Sequence, residues 1–410
     1  MKSLLCFTLS FICLTACLPS QAKDKSNNKV LDIQEIKTDN GITAWLVEDH
    51  SLPIISLKFS FKNAGSIQDG KEKQGLARLL SNTMDEGAGN LTSQAFQKEL
   101  SDHSITLYFS SNRDNFGGQL KTLSRNKDKA FNLLKLALTA PRFDTEPVER
   151  MRQSNIARIK SSKGEADWIN ARLFNDIAFQ GHPYALNSGG TLTTLNNITV
   201  SDLKKHHQTW LAKNNLHVAI TGDIKRKELE NILQDIFGEL PNKAPVAKKQ
   251  AIEIQNTAKN FLYKKDIPQT IISAALPSIK KTDPDYDALR VLNYIYGGGG
   301  FGSRLMEEAR EKRGLTYGIY SSLFSQNHLN AINISTSTKN ESVSEMLDII
   351  KAEMKTISDI EINEQELKDA QSYITGSMPL SLTSTDKVSS ILLSLQLDNY
   401  SGLSNRLATR

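Results

Sequence analysis

Apolar and polar positions alternate along several short runs of the chain. Ile55, Leu57, Phe59 and Phe61 alternate with Ser56, Lys58 and Ser60, the period of a half-buried strand. The stretch "GITAWLVEDHSLPIISLKFSFKNAGS" (41–66) therefore predicts two strands around a turn. Further strands are predicted at 105–111, 115–123 and 216–223, the last closing into a Thr-Gly-Asp turn. Between them the period lengthens. Leu76, Leu79, Leu80 and Met84 recur at helical spacing, so a helix is expected from about residue 74. Helices are also predicted over 127–138, 147–161 and 225–237.

Residues 239–255 shift to Pro, Lys and Ala and read as a linker, after which the order restarts. A strand is predicted at 269–277, helices at 284–296 and from 301, strands at 316–324 and 329–338, and a helix at 342–357. The recurrence of strand, helices, strands and helix predicts an α+β fold of two related halves, 30–238 and 256–410. Each half is expected to be a mostly antiparallel sheet with helices packed on one face. The second half has no counterpart of the first half's closing strand and helix, so it is expected to be truncated at its C-terminal end.

The first 22 residues read as a targeting signal: Lys2, then an apolar run over 4–18 too short to span a membrane comfortably. Two exits compete. Ser20-Gln21-Ala22 has the small-x-small pattern of ordinary signal cleavage. Leu14-Thr15-Ala16-Cys17 resembles a bacterial lipobox, with the signal ending at 16 and Cys17 lipidated. Residues 23–29 are a polar tether. Either exit predicts export to the bacterial periplasm, with a lipid anchor in the second case and no transmembrane segment in the mature chain. Cys6, Cys13 and Cys17 all lie in this segment, so the mature chain is expected to hold together without disulfides.

The chain has 410 residues, 39% hydrophobic and 23% charged, with a net charge of +5. That balance supports two globular cores. No basic stripe interleaves with aromatics, which argues against nucleic-acid binding. The lysine-rich stretch 243–265 reads as a solvated connector. Gly297, Gly299 and Gly302 spell G-x-G-x-x-G, but they follow a predicted helix rather than a strand, so a dinucleotide loop is rejected. His206 and His207 point about 100° apart on a helix, a poor geometry for one ion. His50, His103, His182, His217 and His328 show no ligand spacing.

Two stretches carry more. Arg78, Ser81 and Asn82 stand at i, i+3 and i+4, a spacing that can build a metal site, yet none is a good ligand. In "RLMEEAREKRGLTYGIY" (304–320) a charged helix ends at Gly314 and Tyr317 opens a strand. One reading is a salt-bridged exposed helix with a packed tyrosine. The other brings Arg310 and Tyr317 together to hold a peptide carbonyl by two hydrogen bonds.

Together these stretches resemble the pitrilysin, insulinase and mitochondrial processing peptidase superfamily, the inverted zincins, and most closely its short bacterial members of two halves. "GGGGFGSRLMEEAREKRGLTYGIYSS" matches the family's second-half motif, and "FQGHPYALNSGGTLTTLNNITVSDLKKHH" (179–207) its late first-half stretch. "GLARLLSNTMDEGAG" stands where the family carries G-x-A-H-x-x-E-H. The resemblance implies that Arg310 and Tyr317 bind substrate. It also implies that Arg78, Ser81 and Asn82 occupy the His, Glu and His positions, and that Arg158 stands near the third, glutamate ligand. No acidic residue lies between Glu149 and Glu165. Arginine donates no lone pair, serine is no carboxylate base and asparagine is a poor zinc ligand. The chain is therefore expected to hold no metal or other cofactor and to be inactive alone. It would serve as the non-catalytic subunit of an exported zinc peptidase, paired with a homologous subunit carrying H-x-x-E-H and the zinc, and acting on a peptide or unfolded polypeptide. The alternative is a stand-alone peptide-binding or scaffold protein.

Overall fold

The computed structural model describes residues 31–247, 251–254, 260–359 and 362–398. The targeting signal with Cys17, the 23–29 tether and parts of the linker lie outside the described residues. Strands β1 Gln34–Lys37, β2 Thr43–Glu48, β3 Ile54–Phe61, β4 Thr106–Ser111, β5 Phe116–Leu123 and β6 Leu216–Gly222 form one sheet in the order β1-β2-β6-β3-β5-β4. Only β2 and β6 pair in parallel. β7 Gln269–Pro277, β8 Ile319–Gln326 and β9 Leu329–Lys339 form a second, antiparallel sheet in the order β7-β9-β8. The fold is α+β in two halves, and the expected strands are present. The two strands of 41–66 are not a hairpin, however, because β6 lies between β2 and β3.

Helices of each half cover one face of its sheet. In the first half Leu46, Ile55, Leu57, Phe59, Phe61, Val218 and Ile220 pack against helices Lys127–Thr139 and Arg226–Phe237 in one apolar core. In the second, Ile319 and Ile334 meet Leu305, Met306, Met346 and Ile350. Gly297 lies in a helical turn pressed on β8, where a Cβ would come within 2.7 Å of Ser321 Oγ. The glycine run is thus a tight helix–helix connection.

A helix from the opposite half lies on the other face too, covering that of the first sheet and part of that of the second, where Tyr320, Ser322 and Ser335 stay exposed. Helix Thr385–Leu397 lies across β3 and β6, burying Val388 and Leu392 against Val47 and Ala219. The polar side of β3, which alternation alone assigns to solvent, meets polar groups on this helix. Asp386 accepts from Ser56 Oγ at 2.7 Å, Lys121 Nζ at 2.9 Å and Gln119 Nε2 at 3.1 Å, and Lys58 Nζ donates to Ser390 Oγ at 2.5 Å. Gln396 Nε2 donates to the Val218 carbonyl at 2.8 Å. Reciprocally, helix Ala166–Ala178 of the first half packs on β7, with Asn170 Nδ2 2.7 Å from Ser273 Oγ and Phe174 beside Phe179, Ala331 and Leu329. Among the described residues no helix is long and apolar enough to cross a membrane.

Burial opposes ionisation of Asp386, but hydrogen bonds from Ser56 and Lys121 and the charges of Lys121 and Lys58 outweigh it and hold the carboxyl below its ordinary value. A depressed carboxyl stabilises above the unfolded pKa and ceases to do so as pH falls through the folded one. Asp386→Ala is expected to cost about 1 kcal/mol at pH 7, since the carboxylate is partly solvated. That deficit should fade below about pH 4; urea unfolding at the two pH values measures both.

Candidate functional site

The short helix Leu76–Ser81 positions the first group of residues. Leu76, Leu79, Leu80 and the following Met84 are buried in the first-half core, which sets the helix's rotation. Its start is pinned from two sides. Asp69 accepts from the backbone N–H of Gly75 and of Ala77, each at 2.9 Å. Burial pushes the Asp69 carboxyl up to about 8, against the lowering effect of the backbone donors at Ala77, Gly75 and Leu76. Gly75 has φ +91°, and a Cβ there would meet Gly190 Cα at 2.8 Å; Gly190 itself has φ +85°. Two backbones touch here, and only glycine permits the conformation and the approach. The Gln74 carbonyl accepts from Thr194 Oγ1 at 2.9 Å, and Gln74 Oε1 from Asn187 N at 2.8 Å.

Arg78 is half-buried and, among the described residues, its guanidinium has no hydrogen-bond or ion-pair partner. Ser81 is buried and donates to the Arg78 carbonyl at 2.9 Å, so its hydroxyl is tied to its own helix. Asn82 caps that helix, and its Oδ1 is buried with no partner. Arg158 projects from helix Thr145–Ser162; its Nη2 lies 3.2 Å from Asn155 Oδ1 and faces Gly189, in the loop that meets Gly75. Partial burial depresses the Arg158 pKa, and the Arg78 charge depresses it further. The two arginines thus share one neighbourhood. Zinc does not fit this group: two fixed cations, an inward hydroxyl and an amide offer neither ligands nor a base.

The second group is built on the helical segment 304–311 and the turn before β8. Arg304 grips Glu366 with two bonds of 2.8 and 2.7 Å, while Glu308 pairs with Lys312 and Arg313 at 2.5 Å each. The charges of this helix are therefore largely a salt-bridge network, as one sequence reading has it. Arg310 stands apart. Its guanidinium carbon lies 4.4 Å from the Phe301 ring centroid, and its Nε is 3.7 Å from Glu311. Gly314, with φ +62°, turns the chain, its N–H bonding the Arg310 carbonyl at 2.9 Å. Tyr317 is 86% exposed and is not the packed tyrosine of that reading. Among the described residues no hydrogen bond joins Arg310 to Tyr317, and none joins either to Arg78 or Arg158. Phe301, 67% exposed beneath Arg310, was not singled out by the motif; its place between two glycines was the available signal.

His206 and His207 are buried and serve packing. His206 Nε2 lies 3.0 Å from the Ala64 carbonyl and His207 Nε2 2.7 Å from that of Leu138, and burial lowers both pKa values.

A family profile described as "Insulinase (Peptidase family M16)" matches residues 57–191, and one described as "Peptidase M16 inactive domain" matches 197–374. The chain is 28% identical over 338 residues to the non-peptidase homolog YmxG of Helicobacter pylori, covering 81% of this chain and 77% of that one. It is 23% identical to the β subunit of the mitochondrial-processing peptidase of Saccharomyces cerevisiae, covering 78% and 73%. The probable inactive metalloprotease YmfF of Bacillus subtilis is also 23% identical, over 83% and 84%. A crystal structure of a peptidase M16 inactive domain from Pseudomonas fluorescens superposes with a TM-score of 0.84 at 27% identity, covering 93% and 91%. With the two-half fold, the second-half motif and both profile matches in agreement, the chain belongs to the insulinase, or M16, peptidase family.

Proposed function

We propose that the chain is the non-catalytic subunit of an exported M16 peptidase. It would form half of a substrate chamber and present Arg310 and Tyr317 to peptide bound there, while a homologous partner carries H-x-x-E-H and the zinc. The observation that carries this reading is an asymmetry between the halves. Every position needed for metal and base in the first half holds a residue unable to do the work, while the second-half motif is intact from the glycine run through Tyr317. The names of two relatives, a non-peptidase homolog and a probable inactive metalloprotease, support loss of catalysis. The likeness to a named subunit of a processing peptidase supports pairing. Exposure of Tyr317 suits a side chain that meets its ligand from solvent. Export rests on the apolar run 4–18 and its two cleavage patterns.

The purified chain is expected to carry no stoichiometric zinc by metal analysis and to cleave no peptide alone. A zinc-bearing homologue from the same organism should co-purify with it and turn over faster in its presence. Arg310→Ala in that complex should lower turnover by about 10²–10³-fold if the guanidinium supports the developing oxyanion. Turnover unchanged by Arg310→Ala removes that role; a chain that cleaves peptide alone removes the whole reading.

A further inference from the structure

The place where the family holds a dication now holds two fixed cations. Among the described residues neither Arg78 nor Arg158 has a carboxylate within ion-pair distance, although most arginines of this chain do. The acids on the same elements are committed elsewhere. Asp69 is held by backbone N–H groups of Gly75 and Ala77, and Glu149 by Arg152 at 2.8 Å and Gln153 at 2.6 Å.

The neutral neighbours add donors. A guanidinium can only donate, so the atom of Asn155 that Arg158 meets is its carbonyl oxygen. That leaves Asn155 Nδ2 as a donor; it is buried without a partner, on a residue only 5% exposed. Asn82 has a buried amide atom with no partner, and turning the amide over places an N–H there. Unpaired buried polar atoms are costly, and they cluster where a ligand completes them. The cluster is reachable, since Arg158 is exposed and Arg78 half-exposed.

We infer that the vacated metal position is an anion site, in which Arg78 and Arg158, with the amides of Asn155 and Asn82, take a carboxylate of the bound peptide. The two guanidiniums offer the planar paired donors that a carboxylate matches. This rests on the peptide-binding reading above. A peptide brings carboxylates of two kinds, the side chain of Asp or Glu and its own C-terminus. The site thereby turns from a place that cuts peptides into one that selects acidic ones.

The test uses the full chain and four labelled decapeptides of one sequence. They carry Glu or Gln at one internal position and end in a free acid or an amide; fluorescence anisotropy at low salt reads binding. One carboxylate form should bind about tenfold tighter than its amide counterpart, and added salt should shrink the gain. The arm that shows the gain tells side chain from terminus. The double variant Arg78→Gln/Arg158→Gln should lose the gain while keeping the affinity for the all-amide peptide. Equal binding of all four peptides, or a gain that survives in the variant, overturns the inference. Should the double variant not fold, Arg158→Gln alone, at an exposed position, carries the same comparison. If no peptide binds, the peptide-binding reading fails, and glutarate alone decides the anion site. Saturation-transfer signals from glutarate that vanish in the variant uphold a carboxylate site, and their absence with the wild type overturns it.

Discussion

Each sheet in this molecule has two faces, and each half supplies helices for only one. A helix lent from the other half lies on the second face: Thr385–Leu397 across the first sheet, Ala166–Ala178 along the β7 side of the second, which leaves Tyr320, Ser322 and Ser335 exposed. Everything else depends on that exchange. Val47 and Ala219 are buried with Val388 and Leu392 packed on them. Polar Ser56 and Lys58 of β3 are tolerated there because Asp386 and Ser390 bond to them. An antiparallel sheet with one solvated face is stable elsewhere, so polar residues on β3 do not by themselves reveal a cover.

Much of the fold was legible in the chain and some was not, for physical reasons. β3 stood out because alternation is a local signal, read within eight residues. The order of the sheet was not local: β6 inserts between β2 and β3 from about 160 residues away, using a strand buried on both sides. Helix Ala166–Ala178 escaped because none of its residues is fully buried and its half-buried face is completed by the other half. The candidate site divides the same way. The i, i+3, i+4 spacing and the family motif pointed to Arg78 and Arg158, and the structure brings these two into one neighbourhood. No spacing indicates that Ser81 turns its hydroxyl back to the Arg78 carbonyl, or that Phe301 underlies Arg310.

The scaffold around Arg78 is made by main-chain contacts. The Asp69 bonds to Gly75 and Ala77, the Gly75–Gly190 backbone contact and the Gln74 bonds to Asn187 and Thr194 orient the helix through its own main chain. The side chain at 78 could therefore be changed without disturbing what holds the helix. Arg78 and Arg158 share this neighbourhood with no acid paired to either among the described residues, a mutual repulsion that the partly solvated setting makes bearable.

The lent helix Thr385–Leu397 also orders events in time. It is made after the whole first half, more than 160 residues beyond β6. As the chain emerges from its N-terminal end, a first sheet that formed at once would wait with Trp45, Val47 and Ala219 lacking their cover. Until Thr385–Leu397 follows, on whichever side of a membrane the chain folds, the β2–β6 face of the first half lacks its cover. A holdase that shields this face over that interval would act where the chain shows water the most apolar surface it later buries between its halves.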